Sequence, residues 1–288
     1  MFRRARTDTA AVLMFLAPSA LGFMMFYLIP FAMGVYDSFV ESTADNRFVG
    51  FEHYRELLAS ESFRKAARNT ASFTLVSVPL MILLSLSLAV LLNQNIYIRR
   101  WLRTAFVLPL VVPAASVVLV WQILLDWNGS VNAWLGYFER ARVDWMKTDA
   151  ARSVVIAVYL WKNIGYNMIL FLAGLQQIPK DYYETARIEG AGPFRQFRSI
   201  TLVYLTSTLF FVTIMSVINS FKVFRETYLI AGDYPHDSIY MLQHYMNNMF
   251  MSLDIPKLTA AATLMTGCIL LLVLVLFALE RRFRSFLE

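Results

Sequence analysis

Residues 71–92 read ASFTLVSVPLMILLSLSLAVLL and hold no charged side chain. A bilayer core takes about 20 helical residues to cross, so this stretch alone is long enough to span one. Backbone polar groups find no partner in lipid, which leaves helices and closed barrels as the only spanning structures. A barrel strand alternates apolar and polar positions, whereas this run is continuously apolar. It is therefore predicted to be a transmembrane helix.

Five further stretches share this character, near 11–31, 105–125, 153–175, 201–221 and 259–279. The composition agrees. Of 288 residues, 58% are hydrophobic and 16% charged, where a soluble domain carries about 25% charged residues. The mean hydropathy is +0.53. The predicted fold class is an all-α integral membrane protein with six transmembrane helices. Residues 1–30 begin with a basic cluster, as a signal peptide does. Their apolar part is longer than a signal core and no small-x-small site closes it, so they are read as a retained first span.

Lys and Arg in the loops orient such a bundle. With the N-terminus in the cytoplasm, the inner segments carry Arg3, Arg4, Arg6, Arg99, Arg100, Arg103, Lys180, Arg187, Arg195, Arg198, Arg281, Arg282 and Arg284. The outer loops carry nearly as many cations over almost twice the length, together with most of the acids. Both termini are accordingly expected in the cytoplasm. Pro18, Pro30, Pro79, Pro109 and Pro113 lie in or near spans and read as kinks. The outer segment 49–70 is predicted as a short amphipathic helix leading into the second span. Trp101, Trp127, Trp134, Trp145 and Tyr228 stand near span ends, where interfacial anchoring suits them.

Several chemistries are missing. No glycine is followed by lysine, so a GxxxxGK[ST] phosphate loop is excluded, and HExxH and GxSxG do not occur. Asp233, His236 and Asp237 fall close together, but in GDYPHDS they read as a solvated turn rather than a metal site. Cys268 is the only cysteine, so no intrachain disulfide can form. The net charge of +6 is spread in runs of no more than two basic residues, which argues against a nucleic-acid partner. Neither an enzyme nor a resident cofactor or metal is expected.

One cytoplasmic stretch is too regular to be idle: DYYETARIEGAGPFRQFRSI, Asp181 to Ile200. Pro179 suits a first helical turn, and Asp181 beside it favours the positive end of the helix dipole. Glu184 and Arg187 are spaced to pair on one face. Gly190 can end the helix in the left-handed conformation, and Pro193 can begin a second one heading into span five. The expected helix-turn-helix exposes Tyr182, Tyr183, Ala186 and Phe194 among charges. Two readings fit it, an amphipathic connector on the headgroups and a docking knob for a cytoplasmic protein.

This stretch resembles the EAA loop of permease subunits of binding-protein-dependent ATP-binding cassette importers. That pattern runs Glu-Ala-Ala, three residues, Gly, nine residues, Ile, one residue, Leu-Pro. Glu184-Thr185-Ala186, Gly190, Ile200 and Leu202 fall in register, with Thr185, Glu189 and Val203 as departures. The likeness extends over nearly the whole chain and looks closest to the carbohydrate-type permeases of the maltose and glycerol-phosphate kind. Residues 48–58, 63–80, 108–136 and 220–250 are similar to the corresponding segments, although Ala231-Gly232-Asp233-Tyr234-Pro235 keeps only one of two usual glycines.

The resemblance implies a type I importer permease fold in a bacterial or archaeal cytoplasmic (inner) membrane. It implies residues 1–70 as an N-terminal span and extracytoplasmic loop, 71–280 as the permease core with its loop at 179–203, and 281–288 as a basic cytoplasmic tail. The implied partners are a second homologous permease in a heterodimer, two ATPase subunits, an extracytoplasmic solute-binding protein and the bilayer. ATP and magnesium would sit on the ATPase and no cofactor on this chain. Tyr182, Tyr183, Glu184, Thr185, Ala186, Gly190 and Ile200 would form the ATPase-coupling loop.

For a solute path, Tyr159, Asn163, Tyr166 and Asn167 share one stripe of the fourth span, and Asn219 and Ser220 lie on the fifth. Amides can bond sugar hydroxyls and tyrosine faces can stack on sugar rings, but interhelical hydrogen bonds explain the same residues. Lys162 could face an anionic solute, snorkel, or pair across the heterodimer. The alternatives to a sugar permease are a permease for a glycerol-phosphate-like or other polar solute and, further off, a stand-alone channel or secondary carrier.

Overall fold

The computed structural model describes residues 2–41, 47–94 and 97–284, and they are almost entirely helical. Residues 285–288, the end of the expected basic tail, lie outside the described residues. Among the described residues, six helical stretches are long and apolar enough to cross a membrane: Met14–Asp37, Glu61–Asn93, Ala114–Tyr137, Ala150–Gln176, Thr206–Ala231 and Ile255–Arg282. The chain divides into two compact units.

The first unit holds Met1–Glu61 and Met246–Gly267. Helix α1 (Phe2–Phe23) passes through a π turn at Met24–Leu28 into α2 (Ile29–Asp37). Pro18 is accommodated within α1, and Pro30 sits in the first turn of α2, where its missing N–H costs little. This helical stretch exposes Phe15, Met25, Phe26 and Tyr27, side chains suited to lipid. The chain then turns through a bridge between Val40 and Phe48 to α3 (Glu52–Ala59). There the Ser38 hydroxyl lies 2.7 Å from that of Tyr54, and a ring nitrogen of His53 is 2.9 Å from the Val40 carbonyl. Lys257 pairs with Glu56 at 3.2 Å and Asp254 at 3.5 Å.

The second unit holds Ser62–Tyr245 and Cys268–Glu288. Its helices, after α4 (Glu61–Asn93), are α5 (Arg99–Val111), α6 (Ala114–Leu125), α7 (Ser130–Tyr137), α8 (Ala150–Gln176), α9 (Lys180–Ile188), α10 (Pro193–Gln196), α11 (Leu202–Tyr204), α12 (Thr206–Phe221) and α13 (Phe224–Ala231). Two helices cross the division, α14 (Leu242–Met251) and α15 (Ile255–Arg284).

Helix α8 is the hub of this unit. Its Met168, Phe171, Leu172 and Leu175 pack with Leu86, Ala89 and Leu92 of α4, and with Leu205 and Val212. Its Val155 and Tyr159 pack with Phe73, Met81, Val223 and Met241, and its Val154 and Val158 with Val117 and Leu125 of α6. Two glycines permit this crowding. A Cβ on Gly165 would run into the Phe106 carbonyl of α5, and one on Gly174 would stand 2.7 Å from Leu205 and 2.8 Å from Thr208. Small residues at such crossings let membrane helices approach closely.

Three expectations need correction. The predicted third span, 105–125, is two helices: Val112 and Pro113 are extended between α5 and α6. A residue before proline is pushed out of the α region, so Pro113 breaks the run rather than kinking it. The fifth span does not stop at 221; the membrane-length stretch runs on to Ala231. The outer amphipathic helix is also divided, with Ser60 extended after α3 and α4 beginning at Glu61. Among the aromatic anchors, Trp101, Trp127 and Trp134 are exposed. Trp145 instead packs inside and donates its ring N–H to the buried Asn132 at 3.1 Å. Asn132 also donates to the carbonyls of Asp126, Trp127 and Val143, so this buried amide tethers the loop after α7.

Candidate functional site

Two features of the second unit stand apart from helix packing, a surface hairpin and a charged cavity open to one side. The hairpin is α9, a turn, and α10 leading by a π turn at Phe197–Thr201 into α11. At the turn, Gly190 has φ +78°. Its N–H donates to the Arg187 carbonyl at 3.0 Å, and the Ala191 N–H reaches back to the Ala186 carbonyl at 2.8 Å. This pair of bonds is the Schellman closure of a helix end, and it requires a left-handed residue at the glycine position. Gly192 precedes Pro193, which occupies the first turn of α10. The Gln196 amide donates to the Ala191 carbonyl at 2.7 Å and closes the corner.

The faces of the hairpin divide differently from the expectation. Tyr183 points inward, its hydroxyl 2.9 Å from that of the buried Thr201. Together with Phe197, Ile200 and Leu202 it packs on the α4–α8 cluster. Tyr183 and Ile200 thus anchor the hairpin to the helix core. The outer face presents Glu184, Thr185, the half-exposed Tyr182 with its ring tilted against that of Tyr204, and two apolar side chains in the open, Ile188 at 88% and Phe194 at 77% exposure. Ala186 is half-buried. Both Glu184 and Arg187 are described, and no ion pair joins them, contrary to their spacing. Val203, where the family pattern has proline, keeps its N–H. The chain there stays helical, with only the brief step at Leu205 before α12.

The cavity has a volume of about 440 Å³. It collects five of the seven residues named for a solute path: Tyr159, Lys162, Asn163, Tyr166 and Asn219. Asn167 and Ser220 are not among its lining. Asn167 is buried with its amide 3.3 Å from the Ser216 hydroxyl, and Ser220 bonds the Val217 carbonyl and Thr74. Asn167 thus bonds α8 to α12, and Ser220 bonds α12 to α4. Tyr159 offers the cavity its ring, since its hydroxyl donates to the Ser216 carbonyl at 2.9 Å. Asn163 donates to the Tyr159 carbonyl at 2.8 Å, which leaves its side-chain oxygen available.

Lys162 pairs with Glu226, both side chains largely buried. The lysine is therefore matched inside its own chain. Glu226, Lys222 and Arg225 all line the cavity and were missed from sequence. Ending the fifth span at 221 moved them into a loop. The readable signal was a charged FRET segment following the apolar run without a helix breaker.

Outside the spans, His244 is fully buried, packed edge-to-face on Phe224 at 4.8 Å between ring centres. Burial holds its pKa down to about 4, against the smaller opposing pull of Asp233. In the GDYPHDS turn, Asp237 pairs with Lys65 at 3.0 Å and His236 accepts from the Ser238 N–H at 3.3 Å.

Membrane-length helices packed around a polar cavity, with a structured hairpin at one end of the packing, define a polytopic membrane permease. The chain belongs to the family of binding-protein-dependent transport system inner membrane components, whose family model matches residues 81–285. It is 34% identical over 190 residues to a trehalose/maltose transport system permease protein of Thermococcus litoralis, covering 65% of this chain and 64% of that one. It is 30% identical over 220 residues to an arabinooligosaccharides transport system permease protein of Halalkalibacterium halodurans, covering 74% of this chain and 69% of that one. Its fold matches a chain of a bacterial alginate transporter, crystallised with an alginate pentasaccharide-bound periplasmic protein, at a TM-score of 0.85. That match has 22% identity and covers 98% of this chain and 97% of that one.

Proposed function

We propose that this chain is one of two homologous permeases of an ATP-driven importer and forms half of the path for a sugar or oligosaccharide. The relatives named for trehalose/maltose and arabinooligosaccharides support the solute class. In this reading an extracytoplasmic binding protein delivers solute, both termini face the cytoplasm, and two ATPase subunits hydrolyse ATP with magnesium. This chain itself catalyses nothing.

The observation that carries the proposal is the two-faced hairpin. Tyr183, Phe197 and Ile200 fix it to the helix core, while Ile188 and Phe194 stand almost fully exposed beside Glu184. A contiguous apolar patch exposed on a polar surface marks a contact with a protein or a membrane, and we read Ile188 and Phe194 as part of a protein contact. A connector lying on headgroups would not need an inward face packed on the helix core through Tyr183, Phe197 and Ile200. The hairpin accordingly seats in the ATPase, and its rigid attachment passes ATPase closure to α8 and α12. Glu184 meets the ATPase groove, and Gly190 holds the turn.

Purifying the importer with Glu184→Ala and Gly190→Val tests this. Loss of the co-purifying ATPase, or of substrate-stimulated ATP hydrolysis, is expected. Intact assembly with undiminished stimulation would sink the coupling role. A glycerol-phosphate-like solute is less favoured by Lys162 than it would be if that charge were free, because Glu226 matches it.

A further inference from the structure

Resting on the saccharide reading above, we propose that the cavity selects saccharides carrying an anionic group, which Lys222 and Arg225 receive. Four charged side chains line it: Lys162, Lys222, Arg225 and Glu226. Lys162 and Glu226 neutralise one another. Lys222 and Arg225 are both exposed at the cavity, and among the described residues neither forms an ion pair. The cavity therefore carries two unmatched positive charges.

Their placement is built in. Lys222 caps α12, its N–H donating to the Asn219 carbonyl at 3.0 Å, and Arg225 stands three residues on in the first turn of α13. Cations within a membrane-spanning stretch are costly and face a cavity or a partner charge. A solute that brings its own negative charge offsets that cost, and a guanidinium can hold a carboxylate through two parallel hydrogen bonds. In the remaining lining, the free side-chain oxygen of Asn163 and the amide of Asn219 can bond hydroxyls, and the rings of Tyr159 and Tyr166 with the apolar Leu110, Val158, Met215 and Val223 can cover a sugar's carbon face. At about 440 Å³ the space falls in the usual range for small-molecule sites, about 300–1,000 Å³.

The test is equilibrium binding to the assembled importer in nanodiscs without its solute-binding protein, so that the latter's selectivity does not intervene. Three probes are compared: digalacturonate, neutral galactobiose and glycerol 3-phosphate. Digalacturonate is expected to bind about tenfold more tightly than galactobiose, the sum of two modest partly exposed ion pairs. Lys222→Gln with Arg225→Gln should abolish that preference, while Lys222→Arg with Arg225→Lys should retain it. Equal binding of the two saccharides, a preference surviving the glutamine variant, or no binding of any probe would overturn the proposal. Glycerol 3-phosphate binding through the same two side chains, with neither saccharide bound, would overturn the saccharide reading and leave the cationic pair as an anion contact.

Discussion

The hairpin and the cavity are built from opposite materials. The hairpin is held by backbone geometry and apolar anchors and turns its charges outward. The cavity is held by apolar packing and buries a matched pair, Lys162 and Glu226, either of which is expensive alone. Damage should therefore behave differently in the two. A cavity change should act on stability through charge balance, and a hairpin change should act on coupling with less effect on folding.

The largest effect tests the inward charges. Glu226→Gln leaves Lys162 buried without its partner, and breaking one side of a buried pair costs about 3 kcal/mol. Thermal unfolding of the purified protein should show that loss, and adding Lys162→Met should recover most of it. A double variant as unstable as the single one would mean that the pair does not act as a unit.

Next comes the turn. Gly190→Val puts a β-branched side chain at φ +78°, a strained conformation costing about 2 kcal/mol. The cost should fall on the hairpin, seen as faster proteolysis near residue 190, with the melting temperature of the helix bundle little changed. A matching drop in both would erase the distinction between the regions.

A smaller effect is set by pH. The pKa of His244 is depressed in the folded protein, so the unfolded chain takes up its proton first as pH falls below 6.5. Stability should be full near neutrality and decline as the pH drops toward about 4, by about 1 kcal/mol between pH 7 and 5.5. His244→Gln should flatten that part of the profile. The smallest effect is at the anchor: Tyr183→Phe removes the bond to Thr201 and should cost about 1 kcal/mol or less, loosening the hairpin while Ile200 still holds it.

The contrast between the regions also explains what could be read from the residues. A helix end with glycine, a following proline and fixed spacing is local, so the hairpin from Pro179 to Ile200 was legible at once. Which of its side chains turn inward was not, because Tyr182 and Tyr183 are adjacent and only the core decides between them. Apolar length disclosed the spans, but not their ends: Pro113 breaks a run that is apolar on both sides, and beyond Phe221 the helical stretch continues through charged residues to Ala231. That boundary hid Glu226, Lys222 and Arg225. Pairing across 64 positions, as between Lys162 and Glu226, leaves no local trace in a single sequence.

The most direct measurement replaces each region's contact residues in one reconstituted importer and follows ATPase association and substrate-stimulated hydrolysis together. Ile188→Asp with Phe194→Asp should release the ATPase while leaving the permease folded, and Asn163→Ala in the cavity should keep the ATPase bound but weaken stimulation by solute. Retention of the ATPase, with full stimulation, by the doubly charged hairpin would contradict the account.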